Sequence, residues 1–181
     1  YHYCVYNDFS TDENTVRLRE ASEKMGFELI NLSDLTDHPS PNYLLILQTA
    51  QQKAIAADAG LLSVESDVIV KKHTLQSLFD GALTRPDCGI AAAVTVDEQE
   101  NINYPYLYAK GKEGKVFPEK KHLSFCCSLL TLPFLKAFDF HQLDPEKNWH
   151  DVTISHRSLE KGFINYLFTT LTVWHRPHGS R

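Results

Sequence analysis

Leu61-Leu62-Ser63-Val64-Glu65-Ser66-Asp67-Val68-Ile69-Val70 falls from an apolar run into two acids and then climbs back out. Leu61 to Glu65 has the length and content of a short buried strand. Glu65 and Asp67, one residue apart at its end, present hard oxygen ligands suited to a Mg²⁺ or Mn²⁺ that bridges a diphosphate. An acidic pair that ends a strand is also an ordinary solvated turn. Its weight therefore depends on where the fold puts it.

Working outward, strands and helices alternate. Tyr3 to Tyr6 reads as a strand, and Ser10-Thr11-Asp12-Glu13 matches the capping box that starts a helix. Val16, Leu18, Ala21 and Met25 are mostly helix-spaced, with Gly26 placed for a left-handed cap. Phe27 to Leu32 is a second strand. After the Pro39 and Pro41 loop, Leu44, Leu47, Ala50, Ala54 and Ala57 form a helical stripe that Gly60 stops. Downstream come a helix over about Leu75 to Leu83, the strand Gly89 to Val96 and a polar loop from Asp97 to His122. Leu123 to Leu130 is then a strand, Asp151 to Lys161 a helix closed by Gly162, and Phe163 to Phe168 and Leu171 to Trp174 are strands. This alternation predicts an α/β fold with a mostly parallel sheet covered on both faces. Ligands of such sheets bind at the carboxyl ends of the strands. The residues to weigh are thus Asn7-Asp8, Glu65-Ser66-Asp67 and the region of His175.

The chain has 181 residues, which predicts a single domain over residues 1–181. Its net charge of −5 argues against a nucleic-acid partner, because duplex binding needs a basic face that releases counterions. No apolar stretch approaches the ~20 residues of a membrane span, and no signal-peptide pattern is read. Cys4, Cys88, Cys126 and Cys127 show no CxxC spacing, so they read as reduced, buried thiols of a cytosolic protein.

Two further clusters could carry chemistry. Asp151, in Trp149-His150-Asp151, either caps the following helix or faces the crevice as a general base. Trp174-His175-Arg176 and the following Pro177-His178-Gly179-Ser180-Arg181 combine imidazole and guanidinium groups suited to metal and phosphate.

In this order the clusters resemble the family 2 glycosyltransferases of the GT-A fold. Tyr6-Asn7-Asp8-Phe9-Ser10-Thr11-Asp12 is similar to that family's D-D/N-x-S-T-D turn, which implies base contacts from Asn7 and Asp8. Glu65-Ser66-Asp67 resembles its D-x-D segment, implying that Glu65 and Asp67 hold a metal and that Ser66 lies against the nucleotide. His150-Asp151-Val152 stands where the family carries E-D-V/D, whose Asp is the catalytic base. His156-Arg157 with Lys161-Gly162-Phe163 echoes the family's R…x-x-G-y stretch downstream of that base. Val173-Trp174-His175 with Gly179-Ser180-Arg181 resembles the ending whose His joins the metal shell.

The resemblance implies a three-layer α/β/α sandwich and a metal-dependent, inverting, hexosyltransferase-like enzyme of the kind that builds polysaccharides. Its donor would be a nucleotide diphosphate sugar, its acceptor a glycan or lipid-linked hydroxyl, and its location cytoplasmic or at the inner face of a membrane. Glu65, His150 and Asn7 depart from the family's usual residues, and the central G-x-x-x-A-R-N helix has no Arg or Asn in Ala50-Gln51-Gln52-Lys53-Ala54. The family's opening strand and helix have no counterpart before Tyr1, which implies a shortened copy. These departures keep two alternatives: a non-catalytic binding domain of the same fold, and a nucleotidyltransferase.

Overall fold

In the computed structural model, which describes residues 1–176, the chain divides after Thr49 into two units. The first contains β1 (Cys4–Asn7), α1 (Asp12–Met25), β2 (Glu28–Asn31) and the first half of α2 (Tyr43–Ala56). β1 and β2 pair in parallel, as α1 between them allows. The helix starts one residue later than the capping box predicts. Thr11 is the cap, its hydroxyl accepting the Asn14 N–H at 3.4 Å, while the Ser10 carbonyl accepts from the Thr15 hydroxyl. Gly26 does close the helix, at φ +74° with its N–H on the Ser22 carbonyl. Gly60 does not stop α2. Asp58, at φ +51°, turns the chain first, and Gly60 serves close packing, since a Cβ there would lie 3.0 Å from the Leu130 carbonyl oxygen.

The second unit contains β3 (Leu61–Val64), β4 (Val68–Val70), α3 (Thr74–Leu83), β5 (Cys88–Val96), β6 (Val116–Pro118), β7 (Cys127–Leu130), α4 (Leu132–Ala137), α5 (His150–Glu160) and β8 (Ile164–His175). The sheet order is β3-β7-β5-β8-β4, with β6 on β8. All nine residues of β5 are buried, the mark of a strand covered on both faces. Ala91 and Ala93, on one face, pack with Leu78 and Ala82 of α3 and with Leu129, Phe168 and Val173. The approach of α3 is close enough that a Cβ on Gly81 would sit 2.5 Å from the Phe168 ring.

The fold is α/β, but this sheet is mixed, not mostly parallel. Only β5 and β8 run parallel; β3–β7, β4–β8, β5–β7 and β6–β8 are antiparallel. A parallel neighbour needs a long crossover, normally helical. β5 reaches β7 through a long connection that carries β6 but no α-helix, and β3 is joined to β4, on the opposite edge of the sheet, by only three residues.

Three other boundaries shift for tertiary reasons. Leu123 to Cys126 is buried but not strand, because the Leu123 N–H is taken by the Ser155 hydroxyl of α5. β6 lies inside the expected loop as a three-residue edge too short to signal itself. The two expected aromatic strands are one strand, β8, whose register against β5 jumps between Ala93–Phe168 and Val94–Thr172. Thr169, at the jump, bonds instead to the backbone of Lys112 and Lys115.

Candidate functional site

The acidic turn is located by strand register. β3 ends with Val64 opposite Cys127, and β4 begins with Val68 opposite His175, which is the last residue of β8. β5 and β8 run parallel with Val96 beside Trp174. Glu65, Ser66 and Asp67 therefore lie at the end of the sheet where both parallel strands finish, the position at which open α/β sheets bind ligands. The turn is also tight, closed by the Val68 N–H on the Glu65 carbonyl at 3.2 Å. β3 and β4 are the outermost strands of a five-strand path, ~19 Å apart if the sheet were flat at ~4.8 Å per strand. Four residue steps span at most ~14 Å. The sheet must curl, which draws its two edges around the carboxyl ends of β5 and β8.

His175 is buried and its two ring nitrogens have separate tasks. Nδ1 lies 3.0 Å from the Tyr104 carbonyl oxygen. A carbonyl can only accept, so Nδ1 carries the proton and Nε2 is the nitrogen that faces Asp67, 3.5 Å from Oδ2. Tyr104 is held in turn by β5, since the Thr95 hydroxyl donates to the same carbonyl at 3.0 Å. The neighbouring Asn103 amide donates to the His175 carbonyl.

Glu65 turns the other way. Its backbone N–H meets the Cys126 carbonyl, and the Cys126 thiol donates to its carboxylate at 3.1 Å. Burial raises the Glu65 pKa above the ordinary 4.5; the thiol and His175 pull it down, and the charges of Asp67 and Asp151 push it up. Burial and the same carboxylate raise the Cys126 thiol. Ser66, between the two acids, is exposed.

The electrostatic influence of Asp151 on Glu65, and on the buried Tyr106 hydroxyl, brings a fourth segment to the cluster. Geometry agrees. α5 packs on β5 and β8, its later residues Ser155 and Ser158 bonding Asn165 near the start of β8. The helix runs opposite to β8, so its first turn points towards the strand's carboxyl end. Asp151 is half-buried, and its Oδ1 accepts the Val152 N–H at 2.8 Å. His150 beside it is buried, which lowers its pKa against the pull of Asp151 and Asp144.

Asn7 and Asp8 belong to the first unit and are engaged there. The Asn7 amide donates to Thr15 and Asn31, each at 3.0 Å, and its oxygen accepts the Ser10 N–H. The Asp8 carboxylate accepts from Ser40 and from both the backbone and side chain of Asn42. Burial alone would raise the Asp8 pKa, but these bonds hold it below the ordinary value. Gly179, Ser180 and Arg181 lie outside the described residues.

Two residues matter here that the sequence does not reveal. Cys126 carries no motif; only the β3–β7 pairing sets it beside Glu65. Tyr104 acts through its backbone, which no side-chain pattern signals.

Among the described residues, no group of three or more His, Cys, Asp or Glu side chains is arranged to hold a metal ion. None of their helices is long and apolar enough to cross a membrane. No family model matches the chain, and no curated protein matches it. The structure is similar to the crystal structure of A197 from STIV, with a TM-score of 0.55 and 12% sequence identity, over 97% of this chain and 85% of that one. That likeness is one of fold.

Proposed function

We propose that the chain transfers a sugar from a nucleotide diphosphate sugar to an acceptor hydroxyl, on a site formed by Glu65, Ser66, Asp67, Asp151 and His175. The observation that carries this reading is the Asp67–His175 pair with Nδ1 of His175 anchored on a backbone carbonyl. A metal-binding histidine typically donates its second ring N–H in this way, which fixes the tautomer and aims the other nitrogen.

The donor set suits a particular kind of ion. A Mg²⁺ or Mn²⁺ that arrives with a diphosphate takes most of its ligands from phosphate and water and needs one or two from the protein. Asp67 and His175 would supply that number, one oxygen and one nitrogen ligand, with Glu65 a third ligand once released from Cys126. The bound ion would neutralise the departing diphosphate. Ser66, exposed between the acids, is free of bulk that would keep a phosphate away. Asp151 would accept the proton of the attacking hydroxyl, and the first turn of α5 would offer the positive end of its dipole to a bound anion.

One observation favours the second reading, a domain of this fold that binds a nucleotide without transfer. The Glu65 carboxylate is held by Cys126 rather than by the Asp67–His175 pair. A panel of nucleotide sugars with Mn²⁺ separates the readings. Release of nucleoside diphosphate together with glycosylated acceptor supports transfer. A raised melting temperature without product supports binding alone, since a ligand selective for the folded state stabilises by mass action. Neither response, across all common bases, would remove both.

A further inference from the structure

The segment from Tyr104 to His122 differs in charge from the rest of the molecule. Lys110, Lys112, Lys115, Lys120 and Lys121 face Glu113 and Glu119, a net +3 in a chain of net −5, which leaves −8 for the remainder. All five lysines are exposed. The two acids are engaged within the segment itself. Glu119 is buried and takes the Lys121 N–H, while Glu113 accepts the Gly111 N–H. Lys112 and Lys121 stand over the rings of Phe117 and Tyr108, at 4.7 and 5.8 Å, so their charges are presented from fixed supports. Lys110 helps to lower the pKa of Asp97, and Lys115 that of the segment's own Glu113. At the start of the segment two large apolar side chains are open to solvent, Tyr104 at 67% and Leu107 at 52%.

We propose that this segment docks on an anionic phospholipid bilayer. Lysines gathered in one segment are drawn to a negative headgroup layer, and the exposed tyrosine and leucine at the start of the same segment suit the headgroup–acyl boundary. The pairing of exposed apolar side chains with basic charge suits the bilayer boundary, which takes up both; a segment that instead met an acidic protein or a nucleic acid would bind neither kind of vesicle. The inference is independent of the transfer reading, since none of these side chains belongs to the acidic cluster.

The test uses the whole chain and sedimentation with vesicles of phosphatidylcholine, with or without phosphatidylserine. Each lysine near such a surface contributes about fivefold in partitioning, from roughly 1 kcal/mol apiece. Binding is expected only to the serine-containing vesicles and should fade with added salt. Lys110→Gln with Lys115→Gln and Lys120→Gln should lower partitioning on the order of 10²-fold. These three positions leave the two ring contacts intact, so the variant should melt as the parent does. Lys24→Gln with Lys53→Gln and Lys147→Gln, the same charge change elsewhere, should leave partitioning unchanged. Leu107→Ser should weaken binding without altering its salt dependence. Equal binding to neutral vesicles, no binding to either, or equal losses in the two triple variants would overturn the proposal.

Discussion

Nε2 of His175 stands 3.5 Å from Oδ2 of Asp67, and the Val68–His175 rung of the β4–β8 ladder is what sets them side by side. A slip of one residue in that ladder would turn His175 to the opposite face of the sheet. The pair is thus a product of register. Its orientation comes from the loop after β5, which offers the Tyr104 carbonyl to Nδ1.

Asp67 should carry the metal more than Glu65 does, because it faces the imidazole while Glu65 is held by Cys126. Asp67→Ala should abolish Mn²⁺-dependent nucleotide binding, and His175→Ala should weaken it by roughly 10–100-fold, the scale on which metal sites respond to loss of their supporting groups. Glu65→Ala should cost less than either. Mn²⁺ titration by calorimetry in the presence of nucleoside diphosphate checks this; equal losses at Asp67 and Glu65 would count against it.

Asp151→Asn separates a base from a cap. The Oδ1 that accepts the Val152 N–H survives in Asn, so the melting temperature and nucleotide affinity should hold. Transfer should fall by ~10²–10⁴-fold, the usual cost of losing a general base. A variant that folds and transfers at the parent rate would return Asp151 to a structural role.

Glu65 should make the metal-free protein less stable as pH rises. Burial raises its pKa in the folded state, so the folded chain holds the proton more tightly than the unfolded one. The stability this group contributes is complete below the ordinary pKa of 4.5 and is lost as pH climbs through the raised value. Glu65→Gln should flatten that decline. Urea denaturation in chelator between acid and neutral pH measures it, and parallel curves for the two proteins would refute the assignment.

Gln51 is buried and holds three backbone groups at once: its amide donates to the Leu135 and Phe138 carbonyls, and its oxygen accepts the Phe140 N–H at 2.8 Å. Gln51→Ala strands all three, so a loss of roughly 2–4 kcal/mol is expected in chemical denaturation. Gln51→Glu should do no better, because it sets a second oxygen against two carbonyls. A loss below about 0.5 kcal/mol in both would mean that water replaces the amide without penalty.

Local chemistry was legible in the residues themselves. Gly26 at a left-handed cap, the wholly apolar β5 and the helix over α5 follow from backbone preference and periodicity, which act over a few neighbouring positions. The acidic turn could be singled out, since a fall from apolar strand to paired carboxylates is visible in a row of letters. Strand direction and partner were not legible. They depend on which distant segments bury each other, so the mixed sheet, the edge strand β6 and the joining of two expected strands into β8 belong to the tertiary structure alone. The same holds for the uses of single residues. Asn7 and Gln51 are short polar side chains whose hydrogen-bond partners lie 24 and more than 80 positions away. Asp67, likewise, meets His175 because the chain's two strands pair there, and only a folded sheet brings them within reach.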